Sequence, residues 1–278
     1  MPVNLLLCEG GPNSPDVRLL SKLLAGQCEV RPMGGKQGMG DRIKARRENL
    51  GNTVYGMLDG DFLTDWEMPR GKPHSWTINE NNRTIHLGWR WERKEVENYL
   101  IDPEVVHRAL GSASPPEDEY KDALDQTRDE IAIYQAARTA LSACRRRFSP
   151  LPSAFGPKRG REKHPFPDKL DEPACRAGID QTVQEYADAH VTTPEHAIGR
   201  FSAYTQEFQS GADRRNYFLY AFAGKDLLWA MNERLQQWGF AGAWAFRERV
   251  LKGVLRASKD IANWLPEWKA LLEEIKTA

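Results

Sequence analysis

The chain has 278 residues, which allows one large domain or two smaller ones and is long enough to bury a real core. Its 39 basic and 39 acidic residues cancel, which argues against a protein that coats nucleic acid by overall charge, and 40% hydrophobic with 28% charged residues argues against disorder. Cys8, Cys28, Cys144 and Cys175 form no CxxC pair, so a zinc or redox motif is not expected. Isolated thiols suit a reducing cytosol, and with no signal-like leader and no apolar stretch near 20 residues the expectation is a cytoplasmic protein without a membrane span.

In chain order, Val3 to Cys8 is an apolar run that reads as a buried strand and ends at Glu9-Gly10-Gly11. Ser14-Pro15-Asp16 is a helix start: an N-cap serine, a proline at the first helical position and an acid in the first turn. Val17, Leu19, Leu20, Leu23 and Leu24 form its apolar face, and Gly26 ends it. A second strand is expected near Cys28 to Met33, then the glycine-rich turn GGKQGMG, then a basic helix from Asp41 to Leu50. The turn lacks the Gly-Lys-Ser/Thr ending of a Walker motif and the spacing of a dinucleotide fingerprint, so a strand-to-helix connection is the simpler reading.

The third strand, Thr53 to Leu58, ends in Asp59-Gly60-Asp61. Trp66 to Arg83 is polar and rich in turn residues, Thr84 to Trp89 is a fourth strand, and Val96, Tyr99 and Leu100 suggest a helix that breaks and restarts at Asp102-Pro103. Short apolar strands alternating with helices predict an α/β fold with a parallel sheet flanked by helices over residues 1–110. Helical patterns then dominate residues 111–278: roughly 121–147, 179–189, 194–209, 214–238 and 241–255. The proline-rich, basic stretch SPLPSAFGPKRGREKHPFP between the first two reads as an exposed loop.

Functional groups of a parallel sheet gather beyond the C-terminal ends of its strands. Glu9 follows the first strand, Asp59 and Asp61 the third, and Glu97 lies on the helix after the fourth. In an extended tail Asp59 and Asp61 point to the same side. Several carboxylates in one place repel each other unless a cation joins them, and hard oxygen ligands suit Mg²⁺ or Mn²⁺ and phosphoryl chemistry. The simpler alternatives are an acidic turn for Asp59-Gly60-Asp61, and a helical-turn pair with Arg93 for Glu97.

The motifs CEGGPNSPD and MLDGDF, in that order, resemble the TOPRIM domain of topoisomerases, bacterial primases and OLD-family nucleases, over about residues 1–105. GWRWERKEVENYLIDP and FAGKDLL are similar to segments of the TOPRIM effector subunits of PARIS-type anti-phage systems. The resemblance implies a Mg²⁺- or Mn²⁺-dependent nuclease in which Glu9 is the general acid or base, Asp59 and Asp61 hold the metal, and Glu97 and Lys225 lie beside it. It also implies a toxic effector, held by an ABC-type ATPase sensor until released, that cuts tRNA to stop translation. The alternatives are a DNA-nicking or DNA-cleaving TOPRIM enzyme and a non-catalytic regulatory module. Asp16 is either a helix-start acid or a further ligand, and Lys225 either a helix-start residue or a cation for transition-state charge.

Two basic clusters are either solvated surface or a groove for the nucleic-acid backbone. Lys36, Arg42, Lys44, Arg46 and Arg47 form the first, and Lys36, Arg42, Arg46 and Arg93 are the expected nucleic-acid contacts. Arg145, Arg146, Arg147, Lys158, Arg159, Arg161 and Lys163 form the second. Trp229, Trp238, Trp244, Trp264 and Trp268 are either core or a surface for a homodimer or the ATPase.

Overall fold

Leu5–Cys8 is buried from end to end and forms an interior strand of a five-stranded sheet, as its unbroken apolar run requires. The computed structural model describes residues 3–35, 37–62, 66–145, 172–190, 192–209, 211–258 and 260–278. The elements are β1 (Leu5–Cys8), α1 (Pro15–Leu23), β2 (Glu29–Pro32), α2 (Met39–Leu50), β3 (Val54–Leu58), β4 (His74–Glu80), β5 (Arg83–Arg90), α3 (Glu97–Leu100), α4 (Pro103–Leu110), α5 (Glu117–Arg145), α6 (Glu172–His190), α7 (Pro194–Glu207), α8 (Asp213–Asn216), α9 (Phe218–Ala221), α10 (Gly224–Ala230), α11 (Asn232–Gln237), α12 (Ala243–Arg256) and α13 (Pro266–Thr277).

The sheet order is β2-β1-β3-β5-β4, with β2, β1, β3 and β5 parallel and β4 antiparallel to β5. The fold is therefore mixed α/β, with a mostly parallel sheet. The polar stretch from Trp66 to Arg83 is not all turn: it contains β4. Burial there falls on alternate residues (His74, Trp76 and Ile78), and an edge strand half-covered on one face shows no continuous apolar run.

Period-2 alternation sends the strands' side chains into two cores. Leu6, Cys8, Met57 and Trp89 join α1, α4, α12 and α13, whereas Leu5, Leu7, Val54, Leu58 and Leu87 meet Met39 and Ile43 of α2. The first core runs without a break from Leu6 to Trp268 and Leu271. Residues 111–278 thus differ from 1–110 in secondary structure, yet share one core with them. Helix α13, beyond the last expected helix, inserts Trp268, Leu271 and Ile275 there.

The single helix expected over 214–238 is four short ones. Phe222 and Ala223 are extended, because tertiary hydrogen bonds replace the helical ones: Asn98 Nδ2 donates to the Phe222 carbonyl at 3.0 Å, and the Ala223 N–H donates to Gln135 Oε1 at 3.0 Å. A Cβ on Gly224 would come within 2.4 Å of Asn98 N, so only glycine lets α10 start against α3. The second basic cluster and the proline-rich stretch fall outside the described residues, apart from the backbone of Arg145. Among the described residues no helix is long and apolar enough to cross a membrane.

Candidate functional site

Register brings the acids together. Cys8 pairs with Met57 across the parallel β1 and β3, so Glu9 and Asp59 leave the same sheet edge on adjacent strands. Gly10, at φ +91°, turns the chain toward α1, and a Cβ there would lie 2.4 Å from Ser14 Oγ. Ser14 caps α1 by accepting from Val17 N at 3.4 Å, and Asp16 in the first turn hydrogen-bonds to Asp59 through its side chain. Asp16 therefore belongs to the cluster as well as to the helix start.

The tail after β3 is not extended. Asp61 adopts φ +41°, in a turn where its N–H donates to Lys94 O at 2.8 Å. Gly60 N donates to Arg93 O at 3.2 Å, and a Cβ on Gly60 would meet that oxygen at 2.2 Å. Glycine is required between the two aspartates by the close approach of the segment after β5. The expectation of two aspartates aligned by an extended tail is replaced by two aspartates on a turn, with Asp61 still close enough to act on Asp59.

Electrostatics measure the crowding. Burial pushes the Asp59 carboxyl well above the usual aspartate range, and Asp16, Glu9 and Asp61 push it further, against the pull of Lys225. Asp16 is pushed up to about 6, mainly by burial and then by Glu97. Both carboxyls shift upward together, as close carboxyls do when no cation separates them, because a second negative charge beside the first is disfavoured. Burial, with Asp16, Asp59 and Glu9 nearby, pushes the Cys8 thiol up to about 12, so it stays neutral and is no nucleophile.

Lys225 and Glu97 stand on the helical side. Glu97 is 1% exposed; Arg247 Nη1 donates to its Oε1 at 3.1 Å, and Lys225 Nζ lies 3.5 Å from its Oε2. Burial disfavours the Lys225 charge, but Glu97, Glu95, Asp59 and Asp16 outweigh it and hold the ammonium protonated. Glu95 accepts from Lys225 N at 2.7 Å and lies 3.5 Å from its Nζ. Arg138 of α5 bridges Glu95 and Asp226. Arg138 and Arg247 lie in no quoted motif, and Glu95 lies in one without being singled out; their role comes from contacts across 43 to 150 residues of sequence.

The nucleic-acid contacts expected from sequence are not brought to this cluster as a set. Arg93 is 4% exposed, donates to Asp102 Oδ2 at 2.7 Å and to Asn98 O at 2.8 Å, and lies against the rings of Tyr99 and Tyr220. It is a buried structural cation, and neither a nucleic-acid contact nor the partner of Glu97. Arg42 is exposed on α2 and donates to Met33 O at 3.3 Å; half-buried Arg46 acts on Glu29. Arg47 holds Val54 O at 2.8 Å, and Lys44 pairs with Asp41 and Glu80. Lys36 lies outside the described residues.

Among the described residues no group of three or more His, Cys, Asp or Glu side chains is arranged to hold a metal ion. The donors are nonetheless of the right chemistry for a hard divalent cation. Glu9, Asp16, Asp59 and Asp61 outnumber the nearby Lys225, whose ammonium already serves Glu95 and Glu97. Such an ion would have to bind in place of the proton that the crowding of Asp16 and Asp59 favours. The class these features define is a mixed α/β protein with a half-buried carboxylate cluster and a lysine, Lys225, at the C-terminal edge of its parallel strands. No protein-family model matches the chain, and no curated protein matches it.

Proposed function

We propose that this chain is a divalent-metal-dependent nuclease with a TOPRIM-like catalytic half. The observation that supports this most is the meeting of Glu9 from β1, Asp16 from α1, Asp59 and Asp61 from β3, and Lys225 from α10 at one place. In this reading Asp59 and Asp61, with Asp16, hold Mg²⁺ or Mn²⁺, and Glu9 is a further ligand or the general acid/base. When bound, the ion supplies charge neutralisation at the phosphate and a more acidic water.

The chain's own groups do the rest. Hydrolysis joins a water oxygen to phosphorus and breaks a P–O bond, and Glu9 manages the proton that moves. Lys225 faces the charge that builds on the phosphate oxygens. Glu97, locked by Arg247, and Glu95, bound to the Lys225 N–H, set where that ammonium sits.

The finer reading rests on the four motifs quoted above: a toxic effector of an anti-phage system that cuts tRNA, active as a homodimer once released by an ABC-type ATPase. Wild type and Glu9→Ala, each expressed with and without a candidate ATPase, test it through growth, tRNA integrity and DNA integrity. Triggered wild type is expected to arrest growth with cut tRNA and intact DNA, and Glu9→Ala to do neither. Equal behaviour of the two overturns catalysis; cut DNA with intact tRNA transfers the reading to a DNA nuclease.

A further inference from the structure

Most tryptophans of the helical region are covered: Trp268 is fully buried, and Trp238 and Trp264 pack on the core. Two are not. Trp229 is 59% and Trp244 46% exposed, and their ring centroids lie 6.2 Å apart. The pair is tied to the acidic cluster from both sides. Trp229 stands four residues after Lys225 on α10, on the same helical face. Trp244 lies under the guanidinium of Arg247, 4.7 Å from its ring centroid, and Arg247 is the group that holds Glu97.

We infer that Trp229 and Trp244 form a stacking platform for an unpaired nucleobase next to the phosphate taken by the acidic cluster. This rests on the nuclease reading above. Any phosphodiester seated beside Lys225 carries a base within one nucleotide of it, and these two rings are the exposed aromatic surface one helical turn away. Stacking on a flat ring suits every base, and a guanidinium backing the ring adds a cation. The two rings form a small isolated surface rather than a broad apolar patch. Among the described residues, α10, α11 and α12 expose no other large apolar side chain, and the rim is charged by Arg247 and Glu248.

The test uses the full chain carrying Glu9→Ala, which keeps the probe uncut. A fluorescein-labelled single-stranded RNA of about twelve nucleotides is titrated by anisotropy in Mg²⁺. Adding Trp229→Ala or Trp244→Ala is expected to weaken binding by about tenfold, and Trp229→Phe to keep most of the affinity. A probe with abasic positions is expected to bind the parent about tenfold more weakly yet to bind the alanine variants no worse than the intact probe does. Alanine variants that melt like the parent and bind the intact probe as tightly overturn the platform and leave the nuclease reading standing. A parent that binds neither RNA nor single-stranded DNA overturns both. Unchanged RNA affinity with loss of a dimer in sedimentation makes the pair a subunit contact and likewise overturns the platform.

Discussion

Asp59→Asn is expected to lower cleavage by more than about 100-fold and, at the same time, to make the metal-free protein more stable. Asp59 is half-buried and crowded by Asp16, Glu9 and Asp61, so its ionised form is disfavoured in the fold. Asparagine keeps the shape and a hydrogen bond to Asp16 and removes a charge. At pH 8 in EDTA the gain is expected to be about 1–3 kcal/mol, or roughly 2–4 °C in Tm per kcal/mol. The sign with pH follows from Asp16, whose carboxyl is raised from 3.8 to about 6. Below about pH 4 both folded and unfolded chains carry the proton and the cluster costs nothing. From about pH 4 to 6 the unfolded chain releases the proton and the folded one keeps it, so metal-free wild type loses stability across that window, by about 3 kcal/mol. Asp59→Asn flattens that slope. Thermal melts of both proteins across pH 4–8 check it; a variant less stable than wild type at pH 8 contradicts the crowding.

Arg93→Met is expected to have the largest effect on stability and none on ligand binding. It leaves Asp102 buried and unpaired and removes the cation lying between Tyr99 and Tyr220. The loss is expected to be about 3–5 kcal/mol, which lowers Tm by about 10 °C. Folded variant at low temperature is expected to bind nucleic acid as wild type does. A normal Tm with weakened binding would return Arg93 to the role its sequence position suggested.

Arg93 illustrates where sequence reading stops. An arginine in a polar stretch looks solvent-facing, and its partner Asp102, nine residues on, is shared out by a buried turn that no periodicity reveals. Strands β1 and β3 were legible because buried parallel strands are unbroken apolar runs, or close to it, whereas the half-exposed β2 and β5 were marked out by the turns that bound them. Strand β4 was hidden by its edge position, and α13 by lying past the last periodic segment followed. In the site, Glu9, Asp59 and Asp61 could be found because strand ends mark them. Asp16 was ambiguous until α1 was seen to start against Asp59. Glu97 was placed by its helix, but its partners Arg247 and Lys225 come from the far end of the chain, and contacts over such separations leave no local pattern. The split of 214–238 belongs here too. Helical propensity there is overridden by bonds from Asn98 and Gln135, and that override is what sets Lys225 at the start of α10.

The central claim is that the Asp16–Asp59 pair opens around a divalent cation, and Mn²⁺ soaked into crystals of the full chain tests it most directly. The account predicts an anomalous peak bonded to Asp59 and Glu9, with a further oxygen from Asp16 or Asp61, at about 2.0–2.3 Å; an Asp16–Asp59 hydrogen bond still intact at saturating Mn²⁺, with no peak beside it, would contradict it.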